Sequence, residues 1–121
     1  MDEFDPTKHL KTQREDVDGI AVFHLIGDCD MHTTPYVRLE VSPVLTMGQP
    51  VVIDLTQVAF MDSAGYGMLV GLAKMASDNN ALFSVAVKSP GIVLTGLRVL
   101  QVDHVLHVAM NVEDAIKLIR P

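Results

Sequence analysis

The chain has 121 residues, a net charge of −6 at pH 7, 49% hydrophobic residues and no tryptophan. This length indicates one domain, residues 1–121, with an aliphatic core, and the acidic balance argues against a nucleic-acid or anionic-membrane surface, because either needs clustered Lys and Arg. No apolar run approaches the roughly 20 residues of a membrane helix, and the one cysteine, Cys29, excludes an internal disulfide, so we expect a cytoplasmic domain with no membrane insertion and no direct nucleic-acid contact.

The N-terminal part of the chain predicts two antiparallel strands. Residues 1–15 are mostly polar and alternate only loosely, which suits an edge strand or a partly ordered arm. Asp18 and Gly19 form a favourable two-residue hairpin turn. The run "IAVFHLIG" that follows is rich in β-branched and aromatic residues, so it predicts a strand that ends at Gly27.

A helix and a buried strand are predicted next. The sequence Thr-Thr-Pro at 33–35 has the hydroxyl and the proline that are typical of a helix start. The helix should reach about Met47 and stop at Gly48, with a kink or an early end at Pro43. The unbroken apolar run "PVVIDL" at 50–55 is typical of a strand that is covered on both faces.

The second half of the chain alternates helices and strands. From Ser63 to about Ser77, apolar residues recur at three- and four-residue steps, which predicts an amphipathic helix. There follow a strand in "NNALFSVAV", a helix in "GIVLTGLRVL" interrupted by Gly96, a strand in "VLHVAM" and a terminal helix capped by Asn111. The whole pattern predicts an α/β fold, with a small mixed, mostly parallel sheet of about four or five strands packed with about four helices.

Ser63 lies where the buried strand gives way to the long helix, in the sequence Asp62-Ser63-Ala64-Gly65. One interpretation is structural: Ser63 is the N-cap, its hydroxyl accepts a hydrogen bond from a backbone N–H near Tyr66, and its loss to Ala costs about 1 kcal/mol. The other interpretation is a phosphoacceptor, because a phosphate there would enter the positive end of the helix dipole and meet free N–H groups. The two interpretations are compatible.

Other chemistry has weaker support in the sequence. A nucleophile elbow needs a glycine two positions before the serine, where this chain has Met61, and the histidines show no triad pattern. His104 and His107 lack the Cys or carboxylate partners of a metal site. The sequence therefore predicts no cofactor, no metal and no catalytic constellation.

An acid pair, a further acid and a lysine occur in the order typical of a receiver domain, which takes phosphate on an aspartate with Mg²⁺. These residues are Asp28, Asp30, Asp54 and Lys88. The 26 residues from Asp28 to Asp54 are too few, however, because a receiver needs a whole additional βα unit in that interval. The better interpretation has Asp28 and Asp30 as turn and cap residues, and Asp54 as a strand-end acid bonded to nearby backbone N–H groups.

Three segments together resemble the STAS domain, and more narrowly the bacterial anti-sigma factor antagonists: "GDCD" at 27–30, "VVIDLTQVAFMDSAGYGMLVGLAKMA" at 51–76 and "VLHVAMNVEDAI" at 105–116. The resemblance implies a regulatory partner-switching protein and not an enzyme. In that family the serine matching Ser63 is phosphorylated by an anti-sigma factor that is itself a serine kinase. The unphosphorylated form binds this kinase and frees a sigma factor, and a serine phosphatase restores it.

The resemblance also implies a set of partner-binding residues around the phosphoacceptor. The set is Asp28, Asp30, Asp54, Asp62, Ser63, Ala64, Gly65 and Met68. Met68, Lys74 and Met75 suit the contact side of the helix because Met adapts to varied surfaces, although core filling is the favoured interpretation of each Met. The oligomeric state stays open, with a homodimer among the options.

The same loop occurs in STAS proteins that do not regulate sigma factors. The alternative function is therefore a non-phosphorylated subunit of a membrane transporter such as a lipid-transport ATPase, or a stressosome-type scaffold. In that alternative, Ser63 is only a helix cap.

Overall fold

The computed structural model describes residues 3–120 as a five-stranded sheet with helices on both faces. The strands lie side by side in chain order: Leu10–Val17 (β1), Ile20–Cys29 (β2), Val51–Met61 (β3), Phe83–Ala86 (β4) and Val108–Ala109 (β5). The helices are Thr34–Thr46 (α1), Ser63–Asp78 (α2), Ile92–Val99 (α3), Asp103–Leu106 (α4) and Val112–Ile119 (α5), and a short 3-10 helix, Pro6–Lys8, precedes β1. Only the β1–β2 pair is antiparallel. The predicted mixed, mostly parallel sheet is confirmed, with five α-helices where about four were expected.

The hairpin at the front of the sheet is as predicted. Val17 pairs with Ile20 across a two-residue turn, in which Asp18 (φ 53°) and Gly19 (φ 81°) are both left-handed. Two left-handed residues make the turn type whose twist matches that of the flanking strands. Of the predicted edge strand or arm over 1–15, the part from Leu10 onward is an edge strand, residues 3–9 precede it, and residues 1–2 lie outside the described residues.

Gly27 does not end β2, which continues to Cys29. Gly27 has a φ of 122°, and a Cβ at this position would collide with the backbone carbonyl of His9. The Asp28 N–H donates to that same carbonyl at 2.9 Å. Glycine is therefore needed here because two backbone segments approach closely, and it does not end the strand.

α1 continues through Pro43 to Thr46, so the predicted early end is wrong. Proline has no N–H to donate to the carbonyl four residues earlier, that of Leu39. Leu39 and Pro43 are both exposed, which leaves this carbonyl to solvent. The helix ends where predicted, with Gly48 at a φ of 78°.

The sheet separates two apolar clusters. Alternate residues of β2, among them Phe23 and Leu25, pack in a large cluster with α1, α2 and α3. The intervening Ile20 and Val22 pack with α5 on the other face. The carboxyl ends of β2 and β3 lie side by side, and α2 begins directly after β3. The polar residues described below meet at this place.

The C-terminal elements depart from the prediction in two places. The run "VLHVAM" divides into α4 and the two-residue β5, because Leu106 N–H bonds the Val102 carbonyl at 3.2 Å and His107 is left-handed. α3 is not interrupted at Gly96, whose missing Cβ leaves room for the Tyr66 ring. No helix within residues 3–120 is long and apolar enough to span a membrane.

Candidate functional site

Asp62, and not Ser63, is the N-cap of α2. The Asp62 Oδ1 accepts hydrogen bonds from the backbone N–H of Ala64 at 2.9 Å and of Gly65 at 3.2 Å. Ser63 is the first residue of the helix, and its side chain is exposed. Within residues 3–120 its hydroxyl has no hydrogen-bond partner, so the prediction that Ser63 caps the helix is wrong by one residue.

The cap also changes what a phosphate on Ser63 would find. The N–H groups of Ala64 and Gly65 already bond the Asp62 carboxylate, and the N–H of Tyr66 bonds the Asp62 carbonyl at 3.2 Å. Three of the N–H groups expected to be free at the start of α2, those of residues 64–66, are therefore occupied. A phosphate would lie beside the Asp62 carboxylate in solvent or compete with it for the cap.

Three carboxylates surround this helix start, from Asp28 at the end of β2, Asp30 just after it and Asp62. Burial, followed by the charges of Asp30, Asp28 and Asp62, raises the pKa of the Cys29 thiol to about 12. The charges of all three carboxylates thus act on one buried thiol, that of Cys29. No ion pair to any of the three occurs in the described part of the chain. We call Asp28, Asp30 and Asp62 the acidic cluster.

The loop after β2 is held by hydrogen bonds to the first two of these residues. The Asp30 Oδ1 accepts from the backbone N–H of His32 at 2.8 Å and of Thr33 at 3.1 Å. The Thr33 hydroxyl donates to the Asp28 carbonyl at 2.8 Å and does not cap α1. The predicted turn role of Asp30 is therefore confirmed, while Thr33 stabilises the loop in place of the helix end.

Asp54 is not part of the acidic cluster. It lies seven residues before Met61, which is roughly 20 Å along an extended strand. Asp54 is only 3% exposed. Its Oδ2 lies 2.6 Å from His24 Nδ1. Its Oδ1 accepts from the N–H and the hydroxyl of Thr56 at 2.9 and 2.7 Å. Asp54 is thus a buried mid-strand acid bonded to one nearby N–H, and its predicted place on the contact surface is wrong.

Met68 is fully buried in the large apolar cluster, so it fills the core and does not contact a docked partner. Gly65 is buried as well, because a Cβ there would meet the Met61 side chain and the Cys29 carbonyl oxygen, the latter at 2.9 Å. Gly65 thereby lets α2 pack against the end of β2. Lys74 is exposed and pairs with Asp78 at 2.8 Å.

Sequence reasoning missed the exposed apolar residues around the acidic cluster. Phe60 pairs with Asp28 across the sheet, and Met31 donates its N–H to Asp62 Oδ2 at 3.3 Å. Both side chains are exposed, as is that of Phe4. An isolated apolar residue in a polar stretch carries no periodic signal, so only the fold shows that these three are neighbours of one site.

Of the two histidines weighed as metal ligands, His107 has a hydrogen-bond partner in the backbone. His107 Nδ1 lies 3.0 Å from the Phe83 carbonyl oxygen. Among the residues that the structure describes, no group of three or more His, Cys, Asp or Glu is placed to hold a metal ion.

Comparisons with known proteins agree on one family. A family model described as the STAS domain matches residues 11–115. The Anti-sigma F factor antagonist of Paenibacillus polymyxa is 27% identical over 68% of this chain and 72% of its own length. The Anti-sigma-B factor antagonist of Listeria monocytogenes is 37% identical over 54% of this chain and 57% of its own length. A crystal structure of an anti-sigma factor antagonist from Mycobacterium paratuberculosis is 25% identical, with a TM-score of 0.82 over 93% of this chain and 95% of that one.

Proposed function

Since the chain belongs to the STAS domain family, we propose that it is an anti-sigma factor antagonist that binds an anti-sigma factor with serine kinase activity. Phosphorylation at Ser63 switches this binding off, and a serine phosphatase restores it. The observation that carries the proposal is the exposed Ser63 hydroxyl at the start of α2, which has no hydrogen-bond partner within residues 3–120 and lies beside three carboxylates that pair with no cation in that range. The protein acts as a binding module and catalyses no step itself.

The switch follows from local electrostatics. A docked partner must supply hydrogen-bond donors for the acidic cluster, and its surface is matched to the single charges of those carboxylates. Phosphorylation adds about −1.5 to −2 charges and three acceptor oxygens to the same place. Because the N–H groups of Ala64 and Gly65 already bond Asp62, the dianion must compete with this carboxylate for them. Burying it unpaired costs several kcal/mol, and about 1.4 kcal/mol is already a tenfold loss of affinity.

The modification is tested by intact-mass measurement after incubation with the serine-kinase anti-sigma factor of the same organism and ATP. We expect the mass of one added phosphate on the wild type and on Ser77→Ala, an exposed serine at the far end of α2. Ser63→Ala should gain none. A wild type that gains no phosphate, or a Ser63→Ala variant that still gains it, would contradict the proposal.

Binding is tested separately with Ser63→Asp. If Ser63 is the switch, this variant binds the kinase more weakly than Ser63→Ala does, because it places a further negative charge beside Asp62. The transporter-subunit or scaffold alternative predicts binding to its own partner that is indifferent to Ser63→Asp. Because the Asp62 carboxylate and not Ser63 caps α2, the two proposals differ in this binding response and not in the cap.

A further inference from the structure

We propose that residues 3–9, the N-terminal arm, form part of the partner-docking surface, with Phe4 and Met31 as its apolar contacts. The inference rests on the proposed function, because it assigns a further part of the surface for the same kinase partner. These two apolar side chains carry no charge and lie next to the acidic cluster.

The arm is held against the body of the protein by its backbone. The His9 carbonyl accepts the Asp28 N–H at 2.9 Å, an approach that the absent Cβ of Gly27 permits. Within the arm, Asp5 accepts from the N–H and the hydroxyl of Thr7 at 3.0 and 2.6 Å and so caps the short 3-10 helix. The arm is therefore a shaped segment attached to the same strand end that carries the acidic cluster.

An aromatic contact brings the arm to the loop after β2. The Phe4 ring stacks on His9, with centroids 5.2 Å apart and planes within 6°. Its centroid also lies 5.5 Å from that of His32. Because His32 belongs to the loop that Asp30 holds in place, Phe4 is attached at a fixed position relative to the acidic cluster.

The arm is continuous with the phosphoacceptor site. Met31 precedes His32 and donates its N–H to Asp62 Oδ2 at 3.3 Å, and Asp62 caps the helix that begins with Ser63. Phe4 (47% exposed) and Met31 (66% exposed) consequently lie on one surface with the Ser63 hydroxyl. We call Phe4 and Met31 the apolar ridge.

Charge identifies the occupant of this surface. The three adjacent carboxylates lack a cation within the described chain, so a second copy of the protein would bring like charges together here. A nucleic acid would be repelled by the same carboxylates. The surface suits a protein that offers apolar side chains to the ridge and hydrogen-bond donors to the carboxylates, which is the chemistry required of the kinase partner.

The test measures the affinity of full-length variants for the serine-kinase anti-sigma factor by titration calorimetry. Phe4→Ala and Met31→Ala should each weaken binding roughly tenfold, as truncation of a buried interface anchor does. Leu82→Ala is the matched control: Leu82 is 49% exposed but directly precedes β4 at the opposite end of the parallel strands, so its affinity should equal that of the wild type.

A double variant separates positioning from loss of contact. If His32 only positions Phe4, then Phe4→Ala combined with His32→Ala should bind the kinase no more weakly than Phe4→Ala alone. Attachment of the arm has an independent readout in hydrogen exchange of the Asp28 amide, which bonds the His9 carbonyl at 2.9 Å. Its protection should fall in Phe4→Ala.

The outcomes distinguish this inference from the proposed function. If the wild type binds no kinase, the proposed function fails and the arm inference falls with it. If the wild type binds and Ser63→Asp weakens binding while Phe4→Ala and Met31→Ala bind normally, only the arm inference is overturned. An Asp28 amide that exchanges freely in the wild type overturns it as well, whatever the affinities.

Discussion

The Asp62 carboxylate and the Ser63 hydroxyl are adjacent in the chain, yet only the carboxylate holds the helix. Asp62 bonds two N–H groups of α2, whereas the Ser63 hydroxyl bonds nothing within residues 3–120. A residue that carries no structural hydrogen bond can be modified without breaking one. This division of roles allows Ser63 to change charge while the fold stays intact.

This division predicts a stability difference between two neighbouring substitutions. Asp62→Ala should lower the free energy of unfolding by about 1 kcal/mol, because it removes the cap of α2. Ser63→Ala should change it by less than about 0.5 kcal/mol, as for an ordinary surface residue. Urea denaturation monitored by circular dichroism measures both.

Asp62→Asn is the control for this comparison, since asparagine caps a helix as well as aspartate does but removes the charge. Its stability should lie close to that of the wild type. The reverse order, with Ser63→Ala more destabilising than Asp62→Ala, would show that the hydroxyl carries the cap.

The sequence predicted where the site lies, but not which of two neighbouring side chains takes each role in it. Asp and Ser are both favourable N-cap residues, so the pattern located the helix start but not which of the two side chains caps it. Met68 suited either the core or a surface until the helix was placed on the sheet. Phe4 and Met31 became part of one site only through contacts between segments far apart in the chain.

At the scale of the element, α2 contains three glycines, Gly65, Gly67 and Gly71, and the first two have opposite environments. Gly65 faces the end of β2, where a Cβ would meet the Met61 side chain and the Cys29 carbonyl. Gly67 faces open space, with nothing within 4 Å of a Cβ. One glycine is thus required by packing, whereas the other only weakens the helix.

Substitution of each glycine by alanine should therefore change stability in opposite directions. Gly65→Ala should destabilise the protein by about 1–3 kcal/mol through overpacking. Gly67→Ala should stabilise it by up to about 1 kcal/mol, because alanine favours the helix and meets no neighbour. Thermal and urea denaturation of the two variants test this prediction, and equal effects would mean that α2 does not pack closely against the end of β2.

Most elements were predictable where one periodicity ran over a long segment. α2 matches its prediction because its apolar residues repeat over four turns, and the hairpin matches because Asp18-Gly19 has few alternatives. The run "VLHVAM" is short and mostly apolar, so its periodicity does not distinguish a strand from a helix. Its first two residues belong to the helix α4. β3 continues past the predicted apolar run at 50–55 as far as Met61, and its pairing with β2 has two register shifts.

At the scale of the whole molecule, His24 joins three strands. From β2, its Nδ1 lies 2.6 Å from Asp54 on β3 and its Nε2 lies 2.8 Å from Glu15 on β1. Burial alone would lower the pKa of His24, but the hydrogen bonds and charges of Asp54 and Glu15 outweigh it, so the pKa is raised. Protonated imidazole donates to both carboxylates, whereas the neutral ring has a single N–H and loses one of the two bonds.

The direction of this shift predicts how stability depends on pH. A folded-state pKa above the unfolded value of about 6.5 makes the contribution of His24 complete below that pH and removes it as the pH rises through the folded pKa. Glu15→Gln should reduce the dependence, because a glutamine amide can donate to the neutral ring and adds no charge. The free energy of unfolding, measured by urea titration from pH 5.5 upward at about half-unit steps, should show the wild type losing its advantage over Glu15→Gln above about pH 6.5. Because the other titrating groups are common to both proteins, they cancel in the difference. A difference that stays constant, or grows with pH, would mean that the edge strand is not held to the centre of the sheet through a protonated His24.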